Sequence, residues 1–66
     1  MKNQVQVYAH GLGLEVAGVS KSAFKDILNE YKCECINGGF FFYYKDIGPE
    51  GYHAIIEAAR ALNGDR

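Results

Sequence analysis

The segment Cys33-Glu34-Cys35-Ile36-Asn37-Gly38-Gly39-Phe40-Phe41-Phe42-Tyr43-Tyr44-Lys45 holds the strongest turn signal in the chain. Asn-Gly suits a two-residue hairpin loop because both central positions of the favoured turn need positive φ. A loop at Asn37-Gly38 pairs Cys35 with Phe40 and Cys33 with Phe42, and sets Glu34 opposite Phe41 and Lys32 opposite Tyr43. Successive strand residues point to opposite faces, so Phe40 and Phe42 share one face while Phe41 and Tyr43 share the other. Both faces of this hairpin are aromatic. Which one is core has to be decided by the rest of the chain.

Working outward, Val5, Val7 and Ala9 alternate with Gln4, Gln6 and Tyr8, and Leu12, Leu14 and Val16 alternate with Gly13, Glu15 and Ala17. Period two over both runs predicts a first hairpin. A turn at His10-Gly11 places Ala9 opposite Leu12, Val7 opposite Leu14 and Val5 opposite Val16, with all six on one face. Gly13 then falls across from Tyr8, where a small residue fits. Beyond Gly18-Val19, Ser20 is a natural N-cap for a helix that carries Phe24, Ile27, Leu28 and Tyr31 along one stripe. After the second hairpin, Asp46-Ile47-Gly48 reads as a turn and Pro49 as a first helical residue. Tyr52, Ile55, Ile56, Ala59 and Leu62 form the second stripe, and Gly64 ends it.

The predicted fold is a single α+β domain over residues 1–66, a two-layer sandwich in ββαββα order with a four-stranded, mostly antiparallel sheet and two helices on one face. The turns and stripes of residues 4–32 and 33–64 match loosely, as a ββα quasi-repeat would. Covering both helical stripes assigns Val5, Val7, Leu12, Leu14, Val16, Cys33, Cys35, Phe40 and Phe42 to the core. Phe41 and Tyr43 are thereby sent to the open face.

With 66 residues, 7 Lys and Arg against 8 Asp and Glu, and a net charge of −1, the chain has no block of like charge. That composition disfavours binding driven mainly by phosphate attraction. The longest apolar run, Gly39 to Tyr44, is too short to span a bilayer, and no signal-peptide core follows Met1. A cytoplasmic protein with no membrane association is expected. Two cysteines, Cys33 and Cys35, make no disulfide framework.

Three groups of residues could carry chemistry. A Cys33-x-Cys35 pair could take a soft metal with His10 and His53, but those histidines fall on a turn and a helix at no familiar ligand spacing. Both thiols are better placed as core filling opposite Phe40 and Phe42. His53 and Glu57, four apart on the second helix, could do acid–base work only in a cleft; with Glu50 and Arg60 they form an ordinary solvated stripe. Gly11, Gly13 and Gly18 precede a helix, yet Val16 stands where a dinucleotide loop needs its third glycine. No catalytic residue, metal or cofactor is therefore assigned, and no enzyme activity is expected.

The segments Val7-Tyr8-Ala9-His10-Gly11-Leu12, Gly39 to Lys45, and Ala58-Ala59-Arg60-Ala61-Leu62-Asn63-Gly64 partly resemble an RNA recognition motif. The resemblance implies binding of single-stranded nucleic acid, with Tyr8, Phe40 and Phe42 as the stacking aromatics.

The residues themselves favour a different surface. On the face turned from the helices, Tyr8, Glu15, Glu34, Phe41, Tyr43 and Lys45 are the candidate binding residues. Aromatics exposed on an open sheet suit an interface, since such residues are enriched in interface cores. Cross-strand contact with Gln6, Lys32 and Glu34 is the alternative account of their placement. The expected function is a small non-enzymatic protein-binding module, a regulator or inhibitor, acting as a homodimer. Nucleic acid is the second choice of partner.

Overall fold

The computed structural model describes residues 4–36 and 38–64, so Asn37, half of the expected second turn, lies outside the described residues. The elements run β1 (Gln6–Ala9), β2 (Gly13–Ala17), α1 (Lys25–Glu30), β3 (Glu34–Ile36), β4 (Gly39–Tyr43) and α2 (Tyr44–Asn63). The order is ββαββα and the fold is α+β, as expected. The four strands form one sheet in the order β1-β2-β4-β3, with every pairing antiparallel. The later strand of each hairpin is thus central and the earlier one is an edge.

The central pairing joins Leu14 to Phe42 and Val16 to Phe40, all four on the face covered by the helices. They are buried with Val5, Phe24, Ile47, Ile55 and Ala59 in a single cluster. Phe24 meets Phe42 edge-on at a ring separation of 6.4 Å, an arrangement that aligns the positive ring edge with the negative face. Phe40 and Phe42 are therefore core, and the pleat turns Phe41 and Tyr43 outward.

Two glycines let the central strands approach. A Cβ at Gly13 would collide with the Phe42 carbonyl oxygen, and one at Gly39 with the Val16 carbonyl oxygen. Each glycine is the first residue of its strand, Gly13 of β2 and Gly39 of β4. Gly13 is opposite Tyr43, not Tyr8, which pairs with Glu15.

The first hairpin corrects the expected register. Ala9 pairs with Leu14 and Val7 with Val16, and the His10 N–H donates to the Gly13 carbonyl at 2.8 Å. The turn is centred on Gly11-Leu12, one residue later than expected. A turn displaced by one residue moves the register by two, which preserves the facing of every strand residue. Leu12 is carried out of the core to the hairpin tip, where it is 72 % exposed. Ala9, on the outer strand, is exposed as well. The second hairpin keeps its expected register, Glu34 with Phe41 and Cys35 with Phe40. Cys35 is nonetheless exposed and Cys33 only partly buried against the core. β3 is an edge strand, so one flank of Cys35 has no neighbour among the described residues.

Around the helices the differences are local. Ser20 accepts the Ala23 N–H on its hydroxyl at 3.2 Å, and its carbonyl accepts the Phe24 N–H. The α-helix itself starts only at Lys25, because Phe24 takes φ −106°, ψ 19° while its ring enters the core. In α2, the expected turn at Asp46-Ile47-Gly48 is replaced by a helical turn that follows β4 directly and sends Ile47 into the core. Gly48, at φ 66° and ψ −177°, interrupts the helix in a region open almost only to glycine. Pro49 then starts the longer part, as its fixed φ favours. Ile55 and Ala59 are buried, whereas Tyr52 and Leu62 at the flanks of the stripe are largely exposed. Gly64 ends α2 in the left-handed conformation. At that end, Asn63 clamps the start of the sheet: its Oδ1 accepts the Val5 N–H at 2.7 Å and its Nδ2 donates to the Val5 carbonyl at 3.0 Å.

This arrangement predicts a sharp contrast in urea unfolding. Phe42→Ala should cost about 3–5 kcal/mol, as for a buried Phe, and Leu12→Ala should stay within about 0.5 kcal/mol. A comparable loss at Leu12 would restore the earlier turn.

Candidate functional site

Alternation along four paired strands sets the open face in rows. Across the middle run Tyr8, Glu15, Phe41 and Glu34, one from each strand, joined by the register pairs Tyr8–Glu15, Glu15–Phe41 and Phe41–Glu34. Phe41 therefore sits on a central strand with a carboxylate side chain on either side. Tyr43, two residues along β4, meets Phe41 edge-on at 4.9 Å between ring centres. Lys45, in the first turn of α2, brings its Nζ to 5.9 Å from the centre of the Tyr43 ring. All six residues expected at the site thus lie on or beside one face, with Tyr8 47 % exposed and Phe41 and Tyr43 half-buried.

Hydrogen bonds hold the rim. The Tyr8 hydroxyl donates to Gln6 Oε1 at 2.5 Å and the Tyr43 hydroxyl to Glu34 Oε1 at 3.1 Å. The cross-strand shielding expected from the sequence is thus present at Tyr43, through Glu34, whereas Tyr8 is bonded by Gln6 of its own strand. These bonds engage the phenol hydroxyls and leave part of each ring exposed.

Two contributors were missed. His10 places Nε2 at 2.9 Å from Glu15 Oε1 and its ring 5.9 Å from Phe41. Its parity with Tyr8 on β1 was the available signal, hidden by its assignment to a turn. Leu12 carried no such signal, because its parity argued for the core. At the hairpin tip it helps line two shallow hollows. One, about 340 Å³, also involves His10, Gly11, Glu15, Ile36 and Phe41. The other, of similar size, lies toward Tyr43, Tyr44 and Lys45.

Charge chemistry at the site is modest. The Tyr43 phenol is held above its ordinary value near 10, chiefly because its hydroxyl donates to the Glu34 carboxylate, whose charge adds to the effect. Burial pushes the Cys33 thiol up, with Cys35 adding to the effect and Lys21 opposing it. A raised thiol is a poorer nucleophile at neutral pH. His53 and Glu57 come within 3.9 Å of each other on the solvent side of α2, both mostly exposed. Among the described residues no group of three His, Cys, Asp or Glu is close enough together to hold a metal ion. None of their helices is long and apolar enough to cross a membrane.

The resemblance to an RNA recognition motif fails at two of its three stacking positions. Phe40 and Phe42 are buried under the helices and present no ring to a base; only Tyr8 is accessible.

Two outcomes follow. A bond to Glu34 that favours the neutral phenol acts fully below pH 10 and is lost as pH rises through the raised value. Glu34→Gln should therefore lower the ionisation midpoint of Tyr43, followed by NMR of the labelled ring, and an unchanged midpoint would remove the hydrogen bond from the account. In alkylation at mildly alkaline pH, exposed Cys35 should react well before Cys33; equal rates would show that burial does not protect Cys33.

Comparison of the chain with protein-family models, with curated proteins and with solved structures finds no match.

Proposed function

We propose that this domain is a small non-enzymatic protein-binding module, a regulator or inhibitor that works by occupying the surface of another protein with its open sheet face. Phe41 is the anchor of that face. The observation that carries the reading is the aromatic cluster of Phe41, Tyr43 and His10 on the uncovered side of the sheet, bordered by Glu15, Glu34 and Lys45. An apolar centre inside a charged rim is the usual anatomy of a protein interface. The hollow beside Phe41, bounded by Leu12 and Ile36, has room for an apolar side chain of the partner. The reading further holds that the module acts as a homodimer in the cytoplasm. A net charge of −1 and the burial of Phe40 and Phe42 weigh against nucleic acid as the main partner.

The test pairs a double variant with capture. Phe41→Ala with Tyr43→Ala should leave helical content intact and weaken partner binding by about 2 kcal/mol or more, as for central aromatic anchors. The wild-type protein should retain a partner from lysate of its own cell or host after nuclease treatment, and the double variant should release it. Binding that nuclease abolishes, or tight binding of a single-stranded oligonucleotide, would sink the protein-partner reading in favour of nucleic acid.

A further inference from the structure

The outer edge of β1 has no partner strand among the described residues. In antiparallel pairing, residues alternate between those whose main-chain groups face the partner strand and those whose groups face away. The bond from the His10 N–H to the Gly13 carbonyl sets this alternation. Tyr8 and Gln6 point their main-chain groups at Glu15 and Ala17 on β2. Val5, Val7 and Ala9 point theirs outward. At Val5 both outward groups are taken by the Asn63 side-chain amide, which pairs with them as a neighbouring strand would. At Val7 and Ala9 no partner is present among the described residues.

Edge strands of soluble proteins are ordinarily blunted by lysine, proline, a bulge or short length. The other edge, β3, has only three residues, with Glu34 among them. β1, Gln6-Val7-Tyr8-Ala9, is one residue longer than β3 and carries no charge and no proline.

We propose that a second copy of this chain occupies the β1 edge, antiparallel, to make one continuous sheet through the dimer. The inference rests on the reading of the protein as a homodimer and not on the partner of the open face. Self-complementarity is what selects the occupant. Asn63 excludes Val5, so a symmetric register must use Val7 and Ala9 alone. Only one does so fully: Val7 of one protomer opposite Ala9 of its partner and the reverse, which places Tyr8 opposite Tyr8. Centring on Val7 instead would set Ala9 against the occupied groups of Val5. Centring on Ala9 would require Gly11, which is in the turn. In the selected register the two Tyr8 residues form a non-hydrogen-bonded pair, the kind that brings side chains closest, and aromatic pairs are favourable there. Gln6 faces the partner's His10, so no like charges meet. Half-buried Val7 and exposed Ala9 cover each other on the helical side.

Ala9→Pro removes an outward N–H that the protomer does not use. The wild-type protein should sediment as a dimer at micromolar concentration, and Ala9→Pro should sediment as a folded monomer with unchanged circular dichroism. Against a Cys33→Ala, Cys35→Ala background, Tyr8→Cys should give a disulfide-linked dimer in mild oxidation at least ten times faster than Gln6→Cys. The second measurement decides the matter should Ala9→Pro fail to fold. A monomeric wild type, a dimeric folded Ala9→Pro protein, or equal crosslinking at the two positions would overturn the proposal. Phe41→Ala should leave this dimer intact. Loss of the dimer in Phe41→Ala, with its retention in Ala9→Pro, would mean that copies meet through the open face, and partner capture by Ala9→Pro tests the protein-binding reading separately.

Discussion

The pairing of β2 with β4 is the constraint on which the rest of this small domain depends. It joins the two hairpins, which are separated in sequence by α1, and brings Leu14, Val16, Phe40 and Phe42 together under the helices. The backbone contact at Gly13 and Gly39 allows no side chain at either place, so the strands meet closely at both ends of the pairing. In a chain this short, net stability is the small remainder of burial against conformational entropy. Concentrating four apolar side chains in one pairing uses the limited core efficiently.

The same pairing produces the open face. A strand cannot direct Phe40 and Phe42 inward without directing Phe41 and Tyr43 outward, and both helices are committed to the inner side by Phe24, Ile47, Ile55 and Ala59. The outward aromatics are then organised by their neighbours: His10 and Glu15 on one side of Phe41, Glu34 bonded to Tyr43 on the other. The order β1-β2-β4-β3 also decides which main-chain groups remain open, since it makes edges of the two strands that come first in their hairpins. Asn63, at the far end of the chain, closes part of one of these edges by binding Val5. Face and edge are thus separate surfaces, one offering aromatic side chains and the other main-chain donors and acceptors.

Much of this was legible beforehand, and the failures have specific causes. The assignment of Phe40 and Phe42 to the core and of Phe41 to the open face followed from pleating once the helical stripes were known. The first turn falls one residue later than expected because the two placements differ by a shift that leaves the alternation unchanged, so the period-two pattern does not distinguish them. Leu12 was the casualty, being the residue that the later turn ejects. Cys35 was assigned to the core on correct parity and is exposed, because parity says which face a residue occupies and not whether anything covers it there. Gly48 as a break inside α2 is half visible in the punctuation at Gly48-Pro49, but the helical turn before it is not, since Tyr44-Lys45 also suits the end of a strand and Asp46-Ile47-Gly48 a turn.

Local period alone dictates two hairpins, two amphipathic helical stretches, their order, the termination at Gly64, and the face on which each strand residue lies. These depend on neighbours within a few positions, where side-chain spacing and turn chemistry act directly. Long-range contacts make β2 and β4 central and β1 and β3 edges, bring His10 to the Phe41 cluster, and set Asn63 on Val5. Each of these depends on contact between residues far apart in the chain, and no local period distinguishes a strand with two neighbours from a strand with one.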